Sequence, residues 1–114
     1  MKNIQIDIFE KIKKTNGYQQ EYWSARQLSK VLSYSEYRHF TPVITKAKKS
    51  CKNADQSIKK HFEDVLDMVE IGSNVSRQIT DMNLSRYACY LIMQNADPSK
   101  EIVALGQTYF AIQT

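Results

Sequence analysis

The side chains best suited to chemistry in this sequence are basic, and they are concentrated between residues 26 and 52. Lysine and arginine neutralise backbone phosphates and release counterions when a protein binds nucleic acid. Arginine also makes planar, bidentate contacts that lysine cannot, which favours Arg38 and its neighbour His39 for a specific role. The predicted nucleic-acid contacts are Arg26, Lys30, Arg38, His39, Lys46, Lys48, Lys49 and Lys52.

Other interpretations of these residues stay open at this level. Arg38 also suits a structural ion pair with Glu36, two positions earlier. Tyr34 and Tyr37 suit stacking on exposed bases, but tyrosines at such positions also suit a core. A lysine-rich segment is equally typical of a solvated surface without a partner. Arg86, in contrast, is interpreted as structural, because it begins a helix ahead of an apolar run.

Charge is distributed unevenly along the 114 residues. Residues 1–61 carry 13 Lys or Arg against 5 Asp or Glu, whereas residues 62–114 carry 3 against 7. A surface with such an excess attracts partners of opposite charge over long range. The first half therefore favours phosphates or acidic protein surfaces as partners.

Catalytic and metal-binding patterns do not stand out. Cys51 and Cys89 lie far apart, and neither has a metal-ligand spacing or the context of a nucleophile beside a histidine. The acidic residues between 63 and 70 lack the spacing of a cation-binding loop, and the three glycines form no phosphate-binding loop. We expect two reduced thiols, no catalytic residue, no metal and no cofactor.

The length predicts a single domain with one hydrophobic core. No apolar run reaches the roughly 20 residues that cross a bilayer, and the first residues lack the apolar stretch of a secretory signal. We therefore expect a cytoplasmic protein without a membrane partner.

Apolar spacing in the first half favours helices. Isoleucines four residues apart predict a helix over residues 4–14, although three of them also alternate as in a strand. A short strand at residues 21–23 precedes Ser24, which suits the N-cap of a helix over residues 25–32. A longer helix from 36 to about 51 contains Pro42, which predicts a kink or a fresh start with Thr41 as cap. Its buried face is predicted to hold Tyr37, Phe40, Ile44, Ala47 and Cys51.

The second half mixes strand and helix patterns. The runs 62–71 and 77–84 flank a Gly-Ser-Asn turn and suggest a hairpin, although the first run also suits a helix. A buried helix is predicted from Ser85 to about residue 95, and Asp97-Pro98 is predicted to open a last helix. Its inner stripe is predicted to be Ile102, Leu105, Tyr109 and Ile112. The fold class is thus α+β, mainly helical, with a small antiparallel hairpin.

Four phrases are too long to be generic. They are YWSARQLSKVLSYSEYRHF at 22–40, HFEDVLDMVEIG at 61–72, LSRYACYLIMQNADPSK at 84–100 and ALGQTYFAIQT at 104–114. Together they resemble the DNA-damage-inducible protein D family over about residues 19–114. The first phrase is also similar to the wider BRO-N group of phage antirepressors and viral proteins.

The resemblance implies a BRO-N-like domain at 19–114 after an N-terminal helical extension at 1–18. It also implies that the C-terminal half of the full-length protein is absent, which agrees with a chain that stops inside a predicted helix. The implied function is a non-enzymatic module of the bacterial SOS response that binds single- or double-stranded DNA through a basic helical face. The alternative is an antirepressor-like module that binds a recombinase filament or a repressor protein.

Overall fold

The computed structural model describes residues 2–112, and the side chains of residues 7–112. Within that range the chain forms six helices and a four-stranded antiparallel sheet, which confirms the α+β class. None of the described helices is long and apolar enough to cross a membrane. The elements are α1 (Lys2–Ile12), β1 (Lys14–Thr15), β2 (Glu21–Ser24), α2 (Ala25–Val31), α3 (Tyr37–Asn53), α4 (Ile58–His61), β3 (Phe62–Gly72), β4 (Val75–Leu84), α5 (Arg86–Asn95) and α6 (Glu101–Ile112).

The sheet has the order β1-β2-β4-β3 and is dominated by one hairpin. β3 pairs with β4 along its whole length, from Phe62 opposite Leu84 to Gly72 opposite Val75. β2, in contrast, joins β4 only at the two base positions, Leu84 and Asn83. The predicted hairpin is confirmed, and most of its length extends beyond the rest of the sheet.

Serine caps set the starts of three described helices, α2, α4 and α5. The Ser24 hydroxyl accepts a hydrogen bond from the Gln27 amide at 3.2 Å, and the Ser85 hydroxyl accepts one from the Ala88 amide at 3.0 Å. Each serine ends an extended segment, so its side chain satisfies an amide that the first helical turn leaves free. The predicted starts of α2 and α5 are therefore confirmed.

Pro42 lies inside α3 without ending it, so the predicted fresh start at Thr41 is wrong. Proline lacks the amide that would bond the carbonyl of Arg38, four residues earlier. The Thr41 hydroxyl donates to that carbonyl at 3.1 Å instead. Because the freed acceptor is satisfied locally, one helix continues to Asn53.

The last helix begins later than the sequence suggests. The Asp97 carboxylate accepts hydrogen bonds from the amide and hydroxyl of Ser99, at 3.0 and 2.8 Å, and thereby forms a turn. α6 therefore starts at Glu101, and its predicted stripe is partly wrong because Ile112 is exposed. Packing against α1 and α5 determines the buried face of α6, which consists of Val103, Gly106, Tyr109 and Phe110.

An aromatic cluster joins the first and last helices to the sheet. Trp23 is fully buried, lies edge-on to Phe110 at 5.1 Å between ring centroids, and donates its indole N–H to the Phe9 carbonyl at 2.9 Å. Phe9 lies 5.5 Å from the same Phe110 ring. α1 thus contributes to the core, although the division of the chain at residue 18 stays a prediction.

Gly106 lies where α6 packs closely against side chains of α1 and α5. A Cβ there would lie 2.7 Å from Met93 Sδ and 3.1 Å from Phe9 Cζ, both in fully buried side chains. We expect Gly106→Ala to lower the free energy of unfolding by about 1–2 kcal/mol in a denaturant titration, because overpacking outweighs alanine's helix preference. Gly17→Ala, which enters open space, should change it by less than about 0.5 kcal/mol. A stabilised Gly106→Ala variant would contradict the close packing.

Candidate nucleic-acid interface

α3 has one buried face and one basic face. Phe40, Ile44, Ala47 and Cys51 are buried in the core, which confirms four of the five positions predicted from the spacing. Tyr37 is half-buried. Residues on the opposite side of a helix of 3.6 residues per turn face solvent. That side carries most of the predicted contacts.

Four lysines of α3 form what we call the basic face: Lys46, Lys48, Lys49 and Lys52. Lys46, Lys49 and Lys52 are exposed at intervals of three residues, whereas Lys48 lies half-buried at the flank. Among residues 7–112 none of the four forms a side-chain ion pair. Residues 37–61 together carry seven Lys or Arg against one Asp. The basic face therefore presents charge that no described carboxylate balances.

Arg38 lies on the same helix, but its guanidinium is engaged. It donates from Nε and Nη2 to the two carboxylate oxygens of Glu36, at 3.2 and 3.1 Å. The structural ion pair left open by the sequence is thus present. Both side chains are more than half exposed, so solvent screens the pair and a phosphate can compete for the arginine. His39 Nε2 lies 4.0 Å from the same carboxylate.

The two predicted contacts on α2 have different surroundings. Arg26 donates from Nε to the Thr80 carbonyl of β4 at 2.6 Å, and its guanidinium covers the Tyr37 ring at 4.3 Å from the centroid. Arg26 thereby connects α2 to the hairpin and to α3. Lys30 is exposed near the end of α2. The eight predicted residues therefore lie on two helices and differ in their contacts.

The two candidate stacking tyrosines pack against the protein itself. Tyr34 lies 5.0 Å from the buried Phe40 ring, and the Lys100 ammonium group sits 4.3 Å from the Tyr34 centroid. Tyr37 is covered by Arg26. Burial raises the pKa of both phenols above the usual value. These contacts favour the packing role over base stacking.

α4 adds basic residues that the predicted contact set omits. It packs beside α3 and carries exposed Lys59 and Lys60. Both lysines line an open cleft of about 720 Å³, together with Asn83 of β4 and residues of the β1–β2 segment. The run Lys59-Lys60-His61 was visible in the sequence, but only the fold places it next to α3.

His61 and Ser85 meet at the edge of this cleft. His61 Nδ1 lies 2.6 Å from the Ser85 hydroxyl. Burial, followed by the charge of Lys60, lowers the pKa of the imidazole below its usual value. Ser85 at the same time caps α5, and among the described residues no carboxylate orients the ring. A capping role accounts for this pair without catalysis.

Carboxylates are gathered on the outer part of the hairpin, residues 63–81, which we call the arm. The arm carries five Asp or Glu against one Arg. Within residues 7–112 no group of three His, Cys, Asp or Glu side chains has the geometry of a metal site. Cys51 and Cys89 are both free and buried.

Among the side chains of residues 7–112, Arg86 is the one buried arginine, and it binds Glu21 of β2. It donates from Nε and Nη2 to the Glu21 carboxylate at 2.6 and 3.0 Å, while its guanidinium lies 5.0 Å from the Trp23 ring. These hydrogen bonds raise the pKa of the arginine further. The described surroundings support its interpretation as a structural residue.

Comparison with known proteins agrees with the resemblance seen in the sequence. A family profile described as "BRO family, N-terminal domain" matches residues 11–111. DNA damage-inducible protein D of Escherichia coli (strain K12) is 61% identical over 106 residues. The alignment covers 93% of this chain but 39% of the relative, so the chain spans about two fifths of the curated protein that it matches. No solved structure matches the chain significantly.

Proposed function

Because the chain belongs to the BRO family and matches the family's N-terminal domain, we propose that it binds DNA through the basic face of α3. In this proposal it is a non-enzymatic module of the bacterial DNA-damage (SOS) response. The observation that carries it is the row of exposed lysines on α3 without a described counter-charge.

The spacing of the lysines supports a polyanion as the partner. Lys46 and Lys52 are six residues apart, which corresponds to about 9 Å along a helix axis. Like charges three and four residues apart repel one another and weaken an isolated helix. Phosphates relieve this repulsion and gain the entropy of released counterions. A helix that keeps such a row is thus suited to a strand of phosphates.

The printed name of the Escherichia coli relative describes a damage-inducible protein, which supports the assignment to a damage response. Because this chain spans 39% of that relative, the activity of the whole protein is part of the proposal.

A salt titration tests the proposal. We expect the logarithm of the DNA association constant to fall linearly with the logarithm of salt concentration. Lys46→Gln and Lys49→Gln should each make that slope shallower by about 0.7–0.9 and weaken binding to all DNA sequences alike. Fluorescence anisotropy of a labelled single strand and a labelled duplex measures both effects.

Lys11→Gln is the matched control, because it removes one positive charge from α1, which packs on α6. Its slope should stay close to that of the original protein. If the α3 variants and the control have the same salt-dependence slope, binding depends on net charge and the basic face is not the binding surface. Absence of binding to either DNA form at low salt would reject DNA as the partner.

A second candidate function is an antirepressor-like module that binds a recombinase filament or a repressor. The exposed apolar side chains of the arm favour it, since contiguous apolar surface is typical of protein interfaces. The variant Lys48→Glu with Lys49→Glu separates the two candidates. It should abolish DNA binding in the first case and leave binding of the regulatory protein intact in the second.

A further inference from the structure

The arm exposes large apolar side chains that its own fold does not cover. The exposed fractions are 66% for Leu66, 59% for Met68, 60% for Ile71 and 50% for Val75. A two-stranded ribbon is marginally stable in water unless another element packs on it. β3 is also the edge strand of the described sheet, so its outer backbone groups have no neighbouring strand. The arm thus has the properties of a surface that another chain covers.

One side of the arm is organised for docking. Side chains alternate along a strand, so Leu66 and Met68 share the side of Phe62, which is buried in the core at the arm's base. Asp64 and Glu70 lie on that same side, one at each end of the apolar pair. The cross-strand partners of Leu66 and Met68 are uncharged. This docking side therefore has an apolar centre between two carboxylates.

The charge of the arm argues against a second arm as its partner. If two β3 edges paired antiparallel, the four carboxylates of one strand would face the same four of the other. Like charges opposite one another destabilise a sheet, and charged edge strands resist such pairing. A partner of the docking side must instead be basic.

The complementary surface lies on the same molecule. The basic face of α3 offers lysine ammonium groups for Asp64 and Glu70. Lysine side chains also carry four methylenes, which pack on apolar groups such as Leu66 and Met68. The arm has a net charge of −4, and residues 37–61 have a net charge of +6. We propose that the arm of one copy docks on the basic face of a second copy, and that the exchange is reciprocal in a two-fold dimer.

This inference goes beyond DNA binding and is tested without DNA, so either proposal can fail alone. Sedimentation velocity of the full chain, from micromolar to millimolar concentrations, should show a monomer–dimer equilibrium that weakens as salt is added. Leu66→Ser with Met68→Ser should raise the dimer dissociation constant ~10-fold or more. Circular dichroism confirms that each variant is folded.

A charge exchange gives the sharpest result. The arm variant Asp64→Lys with Glu70→Lys and the face variant Lys46→Glu with Lys49→Glu should each be monomeric. Mixed together they should form a heterodimer, because the reversed arm meets the reversed face in one half of the interface and the original arm meets the original face in the other. Tyr18→Ala, at an exposed residue in the β1–β2 turn, is the control and should dimerise normally.

Three outcomes would overturn the proposal. If the protein stays monomeric at every concentration, also at low salt, then the partner of the arm is a different protein and not a second copy. A dimer that survives the face variant but not Leu66→Ser with Met68→Ser would indicate arm-to-arm contact. Two monomeric charge variants that fail to associate when mixed would show that arm and face do not meet.

Discussion

Arg86→Ala is expected to lower the free energy of unfolding by about 3–5 kcal/mol, as measured by denaturant titration followed by circular dichroism. The substitution removes two short hydrogen bonds to Glu21 and the guanidinium that lies 5.0 and 5.1 Å from the Trp23 and Tyr109 rings. It also leaves a cavity, because Arg86 is only 9% exposed. Glu21 remains partly in water, so the loss arises mostly from packing.

Two further variants separate packing from charge. Arg86→Met keeps much of the volume and should cost about 1–2 kcal/mol, because an apolar side chain of similar size replaces the ion pair. Glu21→Gln leaves the buried guanidinium without its charged partner and should cost about 2–3 kcal/mol. In the double variant, Arg86→Met with Glu21→Gln, the loss of unfolding free energy should differ from the sum of the two single losses. An Arg86→Ala protein as stable as the original would show that the cluster does not hold the core together.

The same pair predicts a dependence on pH. Hydrogen bonds from Arg86 lower the pKa of Glu21 below its usual value, and those from Tyr109 and Lys13 lower the pKa of Glu10. A carboxyl whose pKa is lower in the folded state stabilises the fold above its unfolded pKa and loses that contribution as the pH falls through the folded pKa. Unfolding free energy should therefore decrease below about pH 4.5. The decrease should be shallower in Arg86→Met, where Glu21 has lost its main partner.

Trp23→Ala is expected to have an effect of similar size, about 3–5 kcal/mol. The indole is fully buried, contacts the Tyr109 and Phe110 rings edge-on and donates to the Phe9 carbonyl. Its removal breaks the only described side-chain hydrogen bond from β2 to α1, and it uncovers the guanidinium of Arg86. Thermal unfolding followed by far-ultraviolet circular dichroism measures the loss, since this backbone signal remains when the single tryptophan is removed.

Trp23→Phe and Tyr18→Ala serve as comparisons. Trp23→Phe keeps an aromatic ring but loses the hydrogen bond and some volume, so about 1–3 kcal/mol is expected. Tyr18 is 87% exposed, and its replacement should change stability by less than about 0.5 kcal/mol. A Trp23→Ala protein no less stable than Tyr18→Ala would contradict the position of the indole at the centre of the core.

Local signals in the sequence were sufficient for several elements. The Ser24 and Ser85 caps depend on amides three residues away, and the buried face of α3 follows from spacing alone. The hairpin could be predicted because turn residues separate two apolar runs. In each case the determining interaction lies within one element or between neighbours along the chain.

Contacts between distant segments could not be predicted in this way. Arg26 meets Thr80, 54 residues later, and Arg86 meets Glu21, 65 residues earlier. Nothing near either arginine identifies its partner, although the helix start before an apolar run already favoured a structural role for Arg86. The buried side of α6 likewise depends on α1 and α5, so its own spacing predicted Ile112 incorrectly. For the same reason the sequence grouped Arg26 with lysines whose surroundings are different.

The two buried cysteines have a practical consequence. Cys51 lies on the inner side of α3, beneath the basic face, and Cys89 lies inside α5, while burial raises the pKa of both thiols. The thiolate is the form that reacts with alkylating reagents, so labelling requires transient local opening of the helix. The unmodified protein therefore carries one intrinsic kinetic probe in each of two adjacent helices. A ligand that binds the basic face and stabilises α3 should slow alkylation of Cys51 more than that of Cys89. Mass spectrometry of the two alkylated cysteines then measures occupancy of the basic face.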